Sequence, residues 1–346
     1  MRVLERSRAR SAAVLGAAVL LTVGLVGCSS DGDSVDGAAA DADTAASAET
    51  RTFEAQNGSI EIPADPQRIV ACGYAVLPLI QAGAELAAVC EWTRETENMD
   101  EETLAAYEEL PKVAPDMSVA DLNYEAITMA EPDLIIMGVP AMVQEQLDMA
   151  TLEALAPVVF LGPSIPGEWR QLGEQFADAA NVSDSYGEFK DEYDARAAEL
   201  ADKYAGTLGD LRFAGVCSEC GTNPGEYMRE YKSSYTSNLF DDLGFDFPGE
   251  SSDPAITHGE YLSFEQLPEN LGDADVIVYG VEADGSVTPA LQELFDSPLW
   301  KELPAVKAGN LVAVEHANAA TYQTALLALD SIDAALEKLP ADQSQQ

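Results

Sequence analysis

Between Ser183 and Thr207 the residues Tyr186, Phe189, Tyr193, Ala197, Leu200 and Tyr204 recur every three or four positions, and no glycine or proline interrupts the stretch from Glu188 to Ala205. That spacing predicts one long amphipathic helix, about 25 to 30 Å at about 1.5 Å per residue, long enough to join two lobes. Before it, Arg68 to Cys72 and Leu86 to Cys90 are short strand-like runs flanking a helix-like stretch from Ala75 to Ala84, a βαβ pattern. Leu134 to Met137 and Val158 to Leu161 repeat the rhythm, with a helix expected from Ala141 to Leu155 between them. Their continuous apolar character suits strands of a parallel sheet buried on both faces. After the long helix the rhythm restarts with Leu211 to Cys217, a helix through Asn238 to Phe240 and a strand at Val276 to Tyr279. Tyr124-Glu125 ahead of Asp133, an apolar run and Gly138 has a counterpart in Phe264-Glu265 ahead of Asp275, an apolar run and Gly280. The pattern is that of an α/β chain with an N-terminal lobe over 57–182, a linking helix over 183–208 and a C-terminal lobe over 209–340.

The amino terminus places Arg2, Arg6, Arg8 and Arg10 ahead of an apolar run from Ala12 to Val26. About 15 apolar residues are too few to span a bilayer core of about 30 Å, so residues 1–27 read as an export signal. Leu25-Val26-Gly27-Cys28 resembles the lipobox of bacterial lipoproteins, which implies that Cys28 carries lipid on the extracytoplasmic face of the cell membrane. Residues 28–56, mostly Ser, Asp, Gly, Ala, Thr and Glu, are too poor in apolar side chains to fold and are expected to be a flexible tether.

The full chain carries a formal charge of −43, and removing the signal, with four Arg against Glu5, leaves −46. Such a field excludes nucleic acid as a partner and favours neutral or cationic ligands, although solubility outside the cell is an equally good reason for it. Four cysteines remain beyond Cys28, an even number suited to disulfides in an exported chain. Cys72 and Cys90 end successive strand runs, and Cys217 and Cys220 lie at the corresponding strand end of the second lobe, so the expected bridges are Cys72 with Cys90 and Cys217 with Cys220. A thiolate metal site or redox pair suits an oxidising compartment less well.

Further segments carry a resemblance to a known family: Ile62-Pro63-Ala64-Asp65-Pro66-Gln67-Arg68-Ile69-Val70, Asn123-Tyr124-Glu125-Ala126-Ile127, Glu131-Pro132-Asp133-Leu134-Ile135-Ile136, Leu262-Ser263-Phe264-Glu265-Gln266-Leu267, and Ser297-Pro298-Leu299-Trp300 through Gly309. In order and spacing they resemble the iron-siderophore and cobalamin class of solute-binding proteins of ABC importers, over about residues 57–339. The resemblance implies two Rossmann-like lobes joined by a single long helix, a ligand held between them, and a monomer that hands its cargo to a membrane permease. It also implies that Glu125 and Glu265, one per lobe, dock on permease arginines.

Ligands of parallel α/β lobes lie beyond the carboxyl ends of the strands. On that rule the candidate ligand-binding residues are Tyr74, Trp92 and Arg94 in the first lobe and Tyr227, Arg229, Tyr231, Tyr261 and Tyr322 in the second. Aromatic rings with isolated arginines suit a bulky chelate whose oxygens accept from guanidinium groups. A ferric siderophore is therefore the favoured cargo, with haem or cobalamin the alternatives. His258 and His316 are the only histidines, too few to favour direct metal ligation, and no resident cofactor or metal is expected. G-x-G-x-x-G, P-loop, H-E-x-x-H and G-x-S-x-G motifs are all absent, which argues against an enzyme.

Overall fold

The computed structural model describes residues 49–339, apart from Glu95 and the side chain of Glu97. The expected export signal, Cys28 and the tether up to residue 48 lie outside the described residues.

Folded structure begins earlier than expected. β1 (Thr50–Ala55) and β2 (Gly58–Pro63) pair as an antiparallel hairpin, so residues 50–55, assigned from composition to the tether, are strand. A polar composition conceals one inward position: Phe53 is buried in the first lobe while Thr52 and Glu54 face out. The hairpin turn is fastened by side-chain amides. Gln56 donates to the Gly162 carbonyl at 2.8 Å and accepts from its N–H at 3.0 Å, and Asn57 does the same with Val158 and Phe160 at 2.9 and 3.0 Å. These bonds cover a strand edge that would otherwise stand open.

β3 (Ile69–Gly73), β4 (Leu86–Cys90), β5 (Lys112–Ala114), β6 (Leu134–Gly138) and β7 (Val158–Phe160) form a parallel sheet in the order β5-β4-β3-β6-β7. β3 and β6 are buried along their whole length, as continuous apolar runs covered on both faces must be. The single helix expected between β6 and β7 is two, Ala141–Gln144 and Met149–Leu155. Asp148 interrupts the run by accepting from the Thr151 N–H at 3.1 Å, which starts a new helix.

β8 (Phe213–Cys217), β9 (Glu226–Glu230), β10 (Gly259–Ser263), β11 (Val276–Gly280) and β12 (Leu311–Val314) make the second sheet, in the order β10-β9-β8-β11-β12. β9 runs antiparallel to both its neighbours. The two sheets share one diagram: β3 and β8 are central, β5 and β10 are edges. The long helix Ser183–Leu208 connects them in the chain, its buried face built from Tyr186, Tyr193, Ala197, Leu200 and Tyr204.

Two features fix the lobes' ends and their seam. Disulfides join Cys72 to Cys90, across the carboxyl ends of β3 and β4, and Cys217 to Cys220, closing the turn after β8. Arg170, on the helix Trp169–Ala179, lies over the Trp169 ring at 4.2 Å and donates to Tyr193 Oη at 3.0 Å and Asn238 Oδ1 at 2.8 Å. It also pairs with Asp242, so one guanidinium joins the first lobe, the linking helix and the helix Ser237–Asp242 of the second lobe.

Candidate functional site

The carboxyl ends of both sheets face a common cleft with two adjoining hollows. The larger, about 170 Å³, is walled by Tyr74, Arg94, Ile165 and Trp169 of the first lobe and Tyr235 and His258 of the second. The smaller, about 90 Å³, is walled by Ser218, Glu219, Thr236, Glu282 and His316, with Asn98 reaching in from the first lobe. Tyr235 and Asn318 line both, so the hollows adjoin.

The strand ends explain this composition. Tyr74 follows β3, Ile165 lies in the loop after β7, Ser218 and Glu219 follow β8, Glu282 follows β11 and His316 follows β12. The Cys72–Cys90 bridge ties together the two loops that carry Tyr74 and Arg94. Arg94 is held ready by Tyr74: its Nη1 donates to the Tyr74 hydroxyl at 2.8 Å and its guanidinium lies 5.3 Å from that ring. Its Nη2 reaches the Asn318 carbonyl of the other lobe at 3.3 Å. Of its five N–H donors, three have no partner among the described residues. His316, in the left-handed backbone region, touches Asn98 through Nδ1, a second polar bridge across the cleft.

Only part of the expected ligand set meets here. Tyr74 and Arg94 line the larger hollow. Trp92 does not; it is 3% exposed and packs edge-on behind Tyr74 at 6.4 Å, a support for the wall. Tyr227 is buried in the second lobe's core, because the segment read as a loop is β9, whose pleat turns that ring inward. Arg229 and Tyr231 line neither hollow: half-buried Arg229 donates to the Pro248 carbonyl at 2.9 Å and buried Tyr231 to Glu260 at 3.0 Å. Tyr261 donates to the Cys220 carbonyl at 2.7 Å and lines neither hollow. Tyr322 points back under Trp169, ring centroids 5.1 Å apart, with its hydroxyl on Glu174 at 2.9 Å. Sequence reading missed Trp169, Tyr235 and Asn318, and set both histidines aside. His316 and Asn318 follow the end of β12, where the strand-end rule, applied to every strand, would have found them.

Beneath the site lies a buried carboxyl. Glu230 is 1% exposed; its Oε2 accepts from the backbone N–H groups of Thr236 and Ser237 at 2.9 and 2.8 Å, holding the turn that presents Tyr235. Oε1 has no partner among the described residues. Desolvation dominates over those two donors and pushes Glu230 up to about 7 from an ordinary 4.5. Because the folded value is raised, its contribution to stability is complete below about 4.5 and is lost as pH rises through about 7. Urea unfolding from pH 5 to 8 is expected to show a decline of at most roughly 1.4 kcal/mol per pH unit from this group. Glu230→Gln removes that component; parallel pH profiles for the variant and wild type would show that Glu230 titrates normally. Burial also lowers His258 and raises Tyr235, favouring neutral rings along the larger hollow.

Comparison with known proteins places this geometry. An iron(3+)-hydroxamate-binding protein of Bacillus subtilis, YxeB, is 26% identical over 300 residues, 85% of this chain and 86% of the relative. A probable siderophore-binding lipoprotein of the same organism, YfiY, is 31% identical over 201 residues, covering 56% and 58%. The solved siderophore periplasmic binding protein from the fuscachelin gene cluster of Thermobifida fusca is 29% identical, with a TM-score of 0.64 over 80% of this chain and 99% of that one. The model of the periplasmic binding protein family matches residues 69–316, spanning both sheets, the long helix between them and the cleft: the chain belongs to the periplasmic binding protein family.

Proposed function

We propose that this chain captures a ferric siderophore outside the cytoplasm and delivers it to the permease of an ABC importer, tethered to the membrane through lipid on Cys28. The observation that carries the reading is the cleft itself. A guanidinium with three donors unpartnered among the described residues stands among Tyr74, Trp169 and Tyr235 at the junction of two lobes, a setting that suits an oxygen-rich chelate too large for either hollow alone. The relatives' own names, an iron(3+)-hydroxamate-binding protein and a siderophore-binding lipoprotein, point the same way. Haem is favoured less: Tyr235 and His258 sit edge to face at 6.0 Å, but burial opposes the phenolate that ferric ligation by tyrosine requires.

The test is fluorescence quenching of the lipid-free mature protein by ferric hydroxamate, ferric catecholate, haem and cobalamin. Trp169 borders the larger hollow, so submicromolar quenching by a ferric chelate is expected, and Trp169→Phe should remove most of it. Quenching by haem or cobalamin alone would overturn the assignment of cargo.

A further inference from the structure

The two hollows differ in charge. Arg94 borders the larger one, whereas among the described residues no lysine or arginine borders the smaller, whose ionisable lining is Glu219, Glu282, His316 and the Tyr235 phenol shared with the larger. Both glutamates are exposed, and neither side chain has an ion pair or hydrogen bond among the described residues. Ser218, 8% exposed, lines the same hollow, and its buried Oγ has no hydrogen-bond partner among the described residues. A buried hydroxyl left without a partner calls for a polar ligand, and beside two carboxylates it offers a lone pair to a donor that carries positive charge. The turn that presents Ser218 and Glu219 is closed by the Cys217–Cys220 bridge and braced by Thr222, which donates to the Ser218 carbonyl at 2.5 Å. At about 90 Å³ the hollow admits the end of a chain and not a whole chelate.

We propose that the smaller hollow is a subsite for a protonated primary amine on a side arm of the chelate, a deepening that rests on the siderophore reading of the cleft. The iron centre with its oxygens lies against Arg94 and the aromatic rings, and the ammonium lies between Ser218, Glu219 and Glu282. The hollows meet at Tyr235 and Asn318, so a chelate with a side arm spans the two by passing these residues. The subsite thereby selects for the charge of the arm and sets the orientation of the cargo.

A matched pair of probes tests this: a linear ferric trihydroxamate ending in a primary amine, and the same chelate N-acetylated, which keeps the iron centre and removes the charge. Wild type is expected to bind the amine about fivefold more tightly in low salt, a preference that shrinks as ionic strength rises. Glu219→Gln with Glu282→Gln, both at exposed positions, is expected to bring the amine form to the level of the acetylated form measured on the same variant. Equal wild-type affinity for the pair, or a preference that survives the double substitution, overturns the subsite while the siderophore reading stands. Failure of wild type to bind either chelate overturns the subsite; failure to bind ferric catecholate as well overturns the siderophore reading.

Discussion

Arg94→Gln is expected to lower affinity for the ferric chelate by roughly 10- to 100-fold, with the fold intact. The size follows from the position. A hydrogen bond to a charged donor is worth about 1.5 to 3 kcal/mol when its partner is shielded from water, and among the described residues Arg94 is the one guanidinium of the larger hollow. Tyr74 holds the group before the ligand arrives, so little side-chain freedom is lost on binding. Arg94→Lys separates charge from shape: it keeps the cation but loses the planar fork that serves two oxygens at once, and should recover only part of the affinity. Titration calorimetry against the same chelate measures all three proteins. Equal affinities for wild type and Arg94→Gln would mean that the chelate is held by the rings alone.

How far the sequence disclosed this site depended on what kind of signal each residue gave. The architecture was legible because its signals are periodic: apolar runs for β3, β6 and β11, three- and four-residue spacing for the helix Ser183–Leu208. The lining was half legible, because a strand's end tells which loop faces the ligand and nothing about which side chain of that loop turns inward. Tyr74 and Arg94 came from correctly placed strand ends. Tyr227 failed because β9 is short, mixed and antiparallel, with Glu226 and Arg229 breaking the apolar run that marks a buried strand. Tyr322 failed for another reason: the first turn of the helix Tyr322–Leu336 aims that ring at the linking helix, a tertiary choice without a local signature. Tyr235 was invisible because its position depends on Glu230, a buried carboxyl gripping the turn from below. A lone glutamate in a chain with 61 acidic residues draws no attention.

The internal repeat noticed in the sequence acquires a physical meaning in the sheets. Glu125 lies in the first turn of the helix Tyr124–Ala130, reached from the carboxyl end of edge strand β5; Glu265 lies in the turn Phe264–Gln266, which directly follows edge strand β10. Both side chains are exposed, and each occupies the same station of its own five-stranded sheet, at the end where the strands face the cleft. A carboxylate at a helix start is favoured by the backbone dipole, which accounts for one such residue but not for the matching of the pair. Met129, one turn beyond Glu125, is 78% exposed, giving the first-lobe station an apolar neighbour suited to an interface. We expect these two glutamates to meet permease arginines. Truncating one partner of an interfacial charge pair costs about 2 to 5 kcal/mol, so Glu125→Ala with Glu265→Ala should cut uptake by at least about 100-fold. Neither residue lines the cleft, and chelate affinity in solution should stay within about twofold of wild type, a change of less than about 0.5 kcal/mol. Uptake of radiolabelled ferric chelate by cells carrying the double variant, set beside its binding constant, separates delivery from capture. Normal uptake would place the docking surface elsewhere. Lost uptake together with lost binding would mean that the substitutions reach the cleft; lost uptake with unchanged binding is what a pair of matched docking carboxylates requires.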